Sequence, residues 1–140
     1  MEKDPYKYPS ICMGEVTVPK MDDGEELENT QESFEVLEFS PEVIDGIFKI
    51  ACGILHFQCM TFKKKQREEQ GEIDGTEAAD KAAYLFGINS ADMGKYLCSP
   101  RVRVGNEVVT KGQTPEQISY NALEKCENRK VDIFLKMNFF

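Results

Sequence analysis

Between Pro41 and Phe57 the apolar residues Ile44, Ile47, Phe48, Ala51, Ile54 and Leu55 recur every three or four positions, the period of one helical face. Val43, Ile50 and Phe57 widen that stripe until little polar face remains, so this helix expects neighbours on several sides. Ser40 is its natural N-cap, Pro41 suits the first helical position, and Glu42 and Asp45 complement the positive dipole end. Downstream, Thr76 is expected to cap a helix with Ala79, Ala82, Ala83 and Phe86 on one face and Gly87 as its stop. Asn89 or Ser90 should open a shorter helix carrying Met93, Tyr96 and Leu97, halted by Pro100. Thr114-Pro115-Glu116-Gln117 combines a capping box with proline at the first position, an explicit helix start.

Upstream the pattern is weaker. Gly14 to Pro19 reads as a short extended segment, and Asp22 and Asp23, with Glu25 and Glu26 three residues on, cap an acidic helical turn. Thr30 is expected to open a second helical piece with Phe34 and Leu37 inward. Lys63 to Asp74 reads as a charged loop broken by Gly71 and Gly75. In contrast, Val102 and Val104 alternate with Arg101 and Arg103, Gly105-Asn106 reverses the chain, and Glu107-Val108-Val109-Thr110 returns, which predicts a β-hairpin. The expected fold is mainly α with one β-hairpin.

Composition sets bounds on function. A chain of 140 residues with 41% hydrophobic and 30% charged content suits one ordinary globular domain. The longest apolar run, Ile47 to Met60, is interrupted by Lys49, His56 and Gln58 and is short of the roughly 20 residues a bilayer requires. No membrane partner is expected. The first residues lack the basic start and apolar run of a secretory signal, so a cytoplasmic location is the expectation. Residues 1–60 hold 4 basic and 13 acidic side chains, and residues 61–140 hold 13 and 12. That balance disfavours a nucleic-acid partner, which needs a concentrated positive footprint. The cations cluster at 63–67 and 101–111 and suit a small acidic protein surface better.

Candidate chemistry is sparse. Cys52, His56 and Cys59 lie at helical spacing, so a metal site is conceivable, but reduced core thiols are the simpler reading of five cysteines without a C-x-x-C pair. A Walker A loop needs G-x-x-x-x-G-K-[ST]. No two of the ten glycines are five apart, and no lysine precedes a serine or threonine. The chain alone is therefore not expected to bind or hydrolyse ATP, and no cofactor, metal or catalytic residue is assigned to it. Adjacent carboxylates such as Glu25-Glu26 and Glu68-Glu69 read as solvated surface.

Several ordered segments point to a family. Gly14-Glu15-Val16-Thr17-Val18, Asp22-Asp23 with Glu25-Glu26-Leu27, Leu55-His56-Phe57, Lys63 to Gln70, Asp74 to Leu85 and Pro100 to Gln113 together resemble the motor head of a conventional, sarcomeric-type (muscle) myosin heavy chain. The resemblance runs from about Gly14 to about Gln117. It implies an internal fragment of the upper 50-kDa subdomain of a P-loop NTPase-superfamily motor, an actin-activated ATPase of thick filaments. It also implies residues 1–117 as partial motor domain and 118–140 as a divergent C-terminal helix or tail. Carried over by position, Arg101, Arg103, Glu107 and Lys111 are implied to face the actin filament, followed by Lys63, Lys64, Lys65 and Arg67. The family's ATP and magnesium would be held by a P-loop and two switches that these residues do not include. Partners implied are actin and the remainder of a heavy chain, in a myosin complex of the myofibril. The alternative is a stand-alone helical interaction module, and an independent enzyme is the remotest reading.

Overall fold

In the computed structural model, residues 4–128 are described, and side chains of the last helix up to Ala122. The expectation of a divergent tail therefore falls largely outside the described residues. A 3-10 turn at Pro5–Lys7 precedes α1 (Asp23–Val36), α2 (Pro41–Gln58), the antiparallel pair β1 (Thr61–Lys64) and β2 (Gly71–Asp74), α3 (Glu77–Phe86), α4 (Ser90–Cys98), the antiparallel pair β3 (Arg101–Val104) and β4 (Glu107–Thr110), and α5 (Pro115–Asn128). Among the described residues two hairpins are present, not the one expected.

Helix α1 starts where the carboxylate of Asp22 accepts from the amides of Gly24 (2.8 Å) and Glu25 (3.2 Å), filling two of the donors a helix start leaves open. The expected break at Thr30 does not occur. The Thr30 hydroxyl donates back to the Glu26 carbonyl at 2.8 Å, and Ser33 does the same to Asn29, so both are satisfied inside one continuous helix. Only Phe34 turns inward, edge-on to Phe39 (5.5 Å) and Phe48 (6.3 Å), whereas Leu37 ends the helix and is 68% exposed. Residues 14–19 form no strand.

Helix α2 packs chiefly on α3, and its buried line is shifted from the expected stripe. Ile50 and Gly53 are the buried positions, while Ala51 is exposed. Gly53 decides this register: a Cβ there would stand 2.6 Å from the Phe86 ring, so α3 approaches where α2 carries no side chain. Ser40 precedes the helix in extended conformation but makes no side-chain cap bond. The start of α5 is as expected, with Thr114 and Gln117 exchanging backbone-to-side-chain bonds of 3.2 and 3.4 Å. The left-handed Gly87 (φ +68°) closes α3, and the Asn89 side chain caps α4 through the amide of Asp92.

The segment expected as a loop pairs in register, Thr61 with Asp74, Phe62 with Ile73, Lys63 with Glu72 and Lys64 with Gly71. Phe62 and Ile73 sit opposite one another and, with Phe57, Phe86 and Leu97, surround a core of Met60, Ala79, Ala82, Ala83 and Met93. Burying that apolar pair is what a solvated loop would forgo. Gly94 of α4 admits Ile73, whose Cδ1 would lie 2.6 Å from a Cβ added there. Of the three apolar residues on α4, Met93 is buried, Leu97 packs against the core, and Tyr96 is 48% exposed with Arg101 over its ring.

Candidate functional site

The β3–β4 hairpin leaves α4 at Pro100 and is closed at its base by two backbone bonds. The Lys111 amide donates to the Pro100 carbonyl (3.1 Å), and the Gln113 amide donates to the Cys98 carbonyl (3.0 Å). The Gln113 carbonyl in turn accepts from the Gly71 amide at 2.7 Å. Gln113 thus ties the root of the β3–β4 hairpin to the first residue of β2 in the other. At Gly112 the chain passes close to Gln70, whose side chain would have to shift for a Cβ there. The two clusters of cations, separated in sequence, share one anchor.

On β3–β4, Arg101 stands across from Thr110 and Arg103 across from Val108, so both arginines share a face. Val102 with Val109 and Val104 with Glu107 form the other. Every residue of both strands is exposed. The guanidinium carbon of Arg101 lies 5.5 Å from the centroid of the Tyr96 ring, a cation–π contact that leaves its fork available. Arg103 Nε donates to the Gly105 carbonyl at 3.2 Å, stiffening the tip, where Gly105 takes φ +63°. Glu107 is on the valine face, away from both arginines. Lys111 follows β4 and makes no ion pair among the described residues.

The β1–β2 cations are arranged differently. Lys63 lies 3.2 Å from Asp74 and 3.9 Å from Glu72, and Lys65 lies 3.0 Å from Glu68. Both are neutralised within their own hairpin. Lys64 contributes to holding the Glu116 carboxyl below its usual range, after that residue's own amide and the Thr114 hydroxyl. Arg67 occupies the turn with φ +67°, a left-handed position unusual for a side chain of that size. The structure thus brings all eight sequence-predicted residues onto two joined hairpins; Lys63 and Lys65 of the first are paired with its own carboxylates, whereas Arg101, Arg103 and Lys111 form no ion pair among the described residues.

The profile of the myosin head (motor domain) family matches residues 1–134. The chain belongs to the myosin head family. The match includes both hairpins and extends beyond the stretch from Gly14 to Gln117 on either side. Among the described residues of this myosin head chain, no helix is long and apolar enough to cross a membrane.

Away from the hairpins, this myosin head chain has a shallow cleft of about 480 Å³ lined by Lys7, Tyr8, His56, Cys59, Asp74 and Lys81, among others. The conceivable Cys52–His56–Cys59 metal site is not assembled: among the described residues no three His, Cys, Asp or Glu side chains are placed to hold an ion. His56 instead meets the Tyr8 ring edge-on at 5.8 Å, and the Cys59 thiol faces the carbonyls of Leu55 and Lys7 at 3.3 and 3.5 Å. Burial, then Lys81, pushes the His56 imidazole below its ordinary value, and burial pushes the Cys59 thiol up. A raised thiol pKa is the reverse of what a nucleophile needs. What the sequence missed at the hairpins is the exposed apolar face of Val102, Val104 and Val109, 44, 63 and 48% accessible; the signal was valine on both strands with nothing nearby to cover it.

Proposed function

We propose that this chain is a piece of a conventional, sarcomeric-type muscle myosin motor, from its upper 50-kDa subdomain in the P-loop NTPase superfamily, and that its basic hairpins contact the actin filament. Arg101, Arg103 and Lys111 form the principal contact, with Glu107 beside them, and Lys63, Lys64, Lys65 and Arg67 contribute less. The observation carrying this reading is the anchored β3–β4 hairpin, whose three cations have no carboxylate partner among the described residues. Arginine forks suit the carboxylates of an acidic partner surface, and a hairpin fixed to α4 loses little freedom on docking. ATP and magnesium belong to other parts of the parent motor, and this polypeptide alone turns over no ATP. Its setting is the cytoplasmic thick filament, with the remainder of a heavy chain as the other partner.

The stand-alone module is the weaker reading, because Val36 and Leu37 at the end of α1, and Ile88, are 79, 68 and 50% exposed, as surfaces awaiting neighbours are. Co-sedimentation with actin filaments across a salt series tests the assignment. Binding should weaken as salt shortens the range of charge attraction. Arg101→Ala and Lys111→Ala should each reduce it by about 1.5- to 5-fold, the equivalent of an exposed pair of about 0.2–1 kcal/mol. Filaments that ignore the chain at the lowest ionic strength, or bind both variants as tightly as the parent, would sink the assignment.

A further inference from the structure

Helix α1 is anomalous in its own chain. Glu25, Glu28, Glu32 and Glu35 are spaced three, four and three residues apart, which aligns them on one helical face. All four are exposed, and none forms an ion pair among the described residues. The helix contains no lysine or arginine, and no residue of it is buried. Like charges at these spacings destabilise a helix, and Glu35 lies at the negative end of the dipole, where a carboxylate is unfavourable. Such an unpartnered face is stabilised by a basic surface.

Among the described residues the β3–β4 hairpin offers such a surface, with none of its cations in an ion pair. Arg101 and Arg103 share a face of β3–β4, with Lys111 following, whereas Lys63 and Lys65 are occupied by carboxylates of their own hairpin. The spacings agree. Glu28 and Glu32 are separated by roughly 6 Å along the helix axis, and Arg101 and Arg103 by roughly 6.6 Å along the strand. Both surfaces also expose aliphatic groups, Val36 at the end of α1 and Val108 next to Arg103. Within one chain the arginines are engaged by Tyr96 and Gly105, not by α1.

We infer that the glutamate face of α1 docks the β3–β4 hairpin of a second copy of this chain. The contact is heterologous, one patch meeting a different one, so each added copy leaves one patch of each kind free for the next until a ring closes. The inference uses only the charges of this chain and stands whether or not actin is also a partner of the hairpin.

Sedimentation velocity on the full chain tests it. At about 10 mM salt the screening length is roughly 30 Å and at about 150 mM roughly 8 Å. The mass should exceed the 15.9 kDa of one chain at low salt and fall to it at the higher. Neutralising either patch, by Glu28→Gln with Glu32→Gln or by Arg101→Gln with Arg103→Gln, should weaken association about tenfold. An equimolar mixture of the two double variants keeps one intact copy of each patch. It should regain association and stop at two chains. A single-chain mass at low salt overturns the inference. So does association indifferent to salt or to both double substitutions, or a mixture that fails to recover. Sedimentation without filaments reads self-association alone, and the Glu28→Gln with Glu32→Gln variant, whose hairpin is intact, keeps the actin contact measurable when self-association is weakened.

Discussion

Replacing Gly71 by alanine isolates the packing of α5 against β2. Gly71 is buried and has no positive φ, so alanine can adopt its backbone and the cost is steric alone. The added Cβ would lie 2.6 Å from Ile118 Cδ1, 3.0 Å from Pro115 N and 3.1 Å from Pro115 Cα. Ile118 is 1% exposed and has nowhere to move. Pro115 is backbone, held by its ring and by the Thr114–Gln117 box. Overpacking of this kind costs about 1–3 kcal/mol, and contact with backbone argues for the upper part of that range. For a chain of this size the midpoint of thermal unfolding should fall by about 3–9 °C. Gly46→Ala is the control, because nothing lies within 4 Å of its added Cβ in α2, and it should gain about 0.5–1 kcal/mol from reduced backbone freedom. Adding Ile118→Val to Gly71→Ala should recover part of the loss, a coupling of about 0.5 kcal/mol or more, since it removes the nearest colliding atom. Circular dichroism melts of the parent, the two glycine variants, Ile118→Val alone and the double variant measure all of this. If Gly71→Ala melts at or above Gly46→Ala, α5 does not sit on β2 as described.

Most helices were legible because their ends carry local chemistry. Asn89, Gly87 and the Thr114–Gln117 box act within a few residues of themselves, so a short window suffices to recognise them. Thr30 misled for the same reason: a threonine that starts helices can equally bond backward within one, and only the Glu26 carbonyl decides. The β1–β2 hairpin was hidden because its apolar content is the single pair Phe62 and Ile73, too sparse for alternation to register against six charged neighbours between Lys63 and Glu69. Tertiary burial of that pair overrides the local pattern.

The site divides along the same line. Arg101, Arg103 and Lys111 were recognisable because a valine–arginine alternation around Gly105 fixes their geometry locally. The neutralisation of Lys63 by Asp74 and Glu72 required the unseen pairing of β1 with β2. The anchor from Gly71 to Gln113 joins residues 42 positions apart, and no pattern of one chain encodes a single long-range backbone bond.

Three further outcomes follow from individual groups. Asp22→Ala removes the acceptor for two amides and should cost about 1 kcal/mol. Because α1 buries nothing, the loss should appear as faster hydrogen exchange in its first turn with little change in the global melt. Gln58→Met should raise the urea midpoint, by about 1 kcal/mol in stability, because Gln58 Oε1 is buried without a partner beside a cavity of about 80 Å³ between Phe57, Phe62 and Ala122. His56→Gln should flatten the pH dependence of stability just below neutrality. Burial, then Lys81, holds the folded imidazole below its ordinary 6.5, so on acidification the unfolded chain takes the proton first. Stability is therefore fully present above about 6.5 and is lost as pH falls towards the folded value. The carboxyls of Glu42, held low by its own amide and Ser40, and of Glu77, held low by Lys81, act later. Their contribution goes as pH drops below about 4.5, where both variant and parent lose it alike. Urea midpoints of parent and variant at about pH 7.5 and pH 5.5 separate the two windows: an identical change in both proteins means His56 is as easily protonated in the fold as out of it, and the Tyr8–His56 contact is not the desolvated one described.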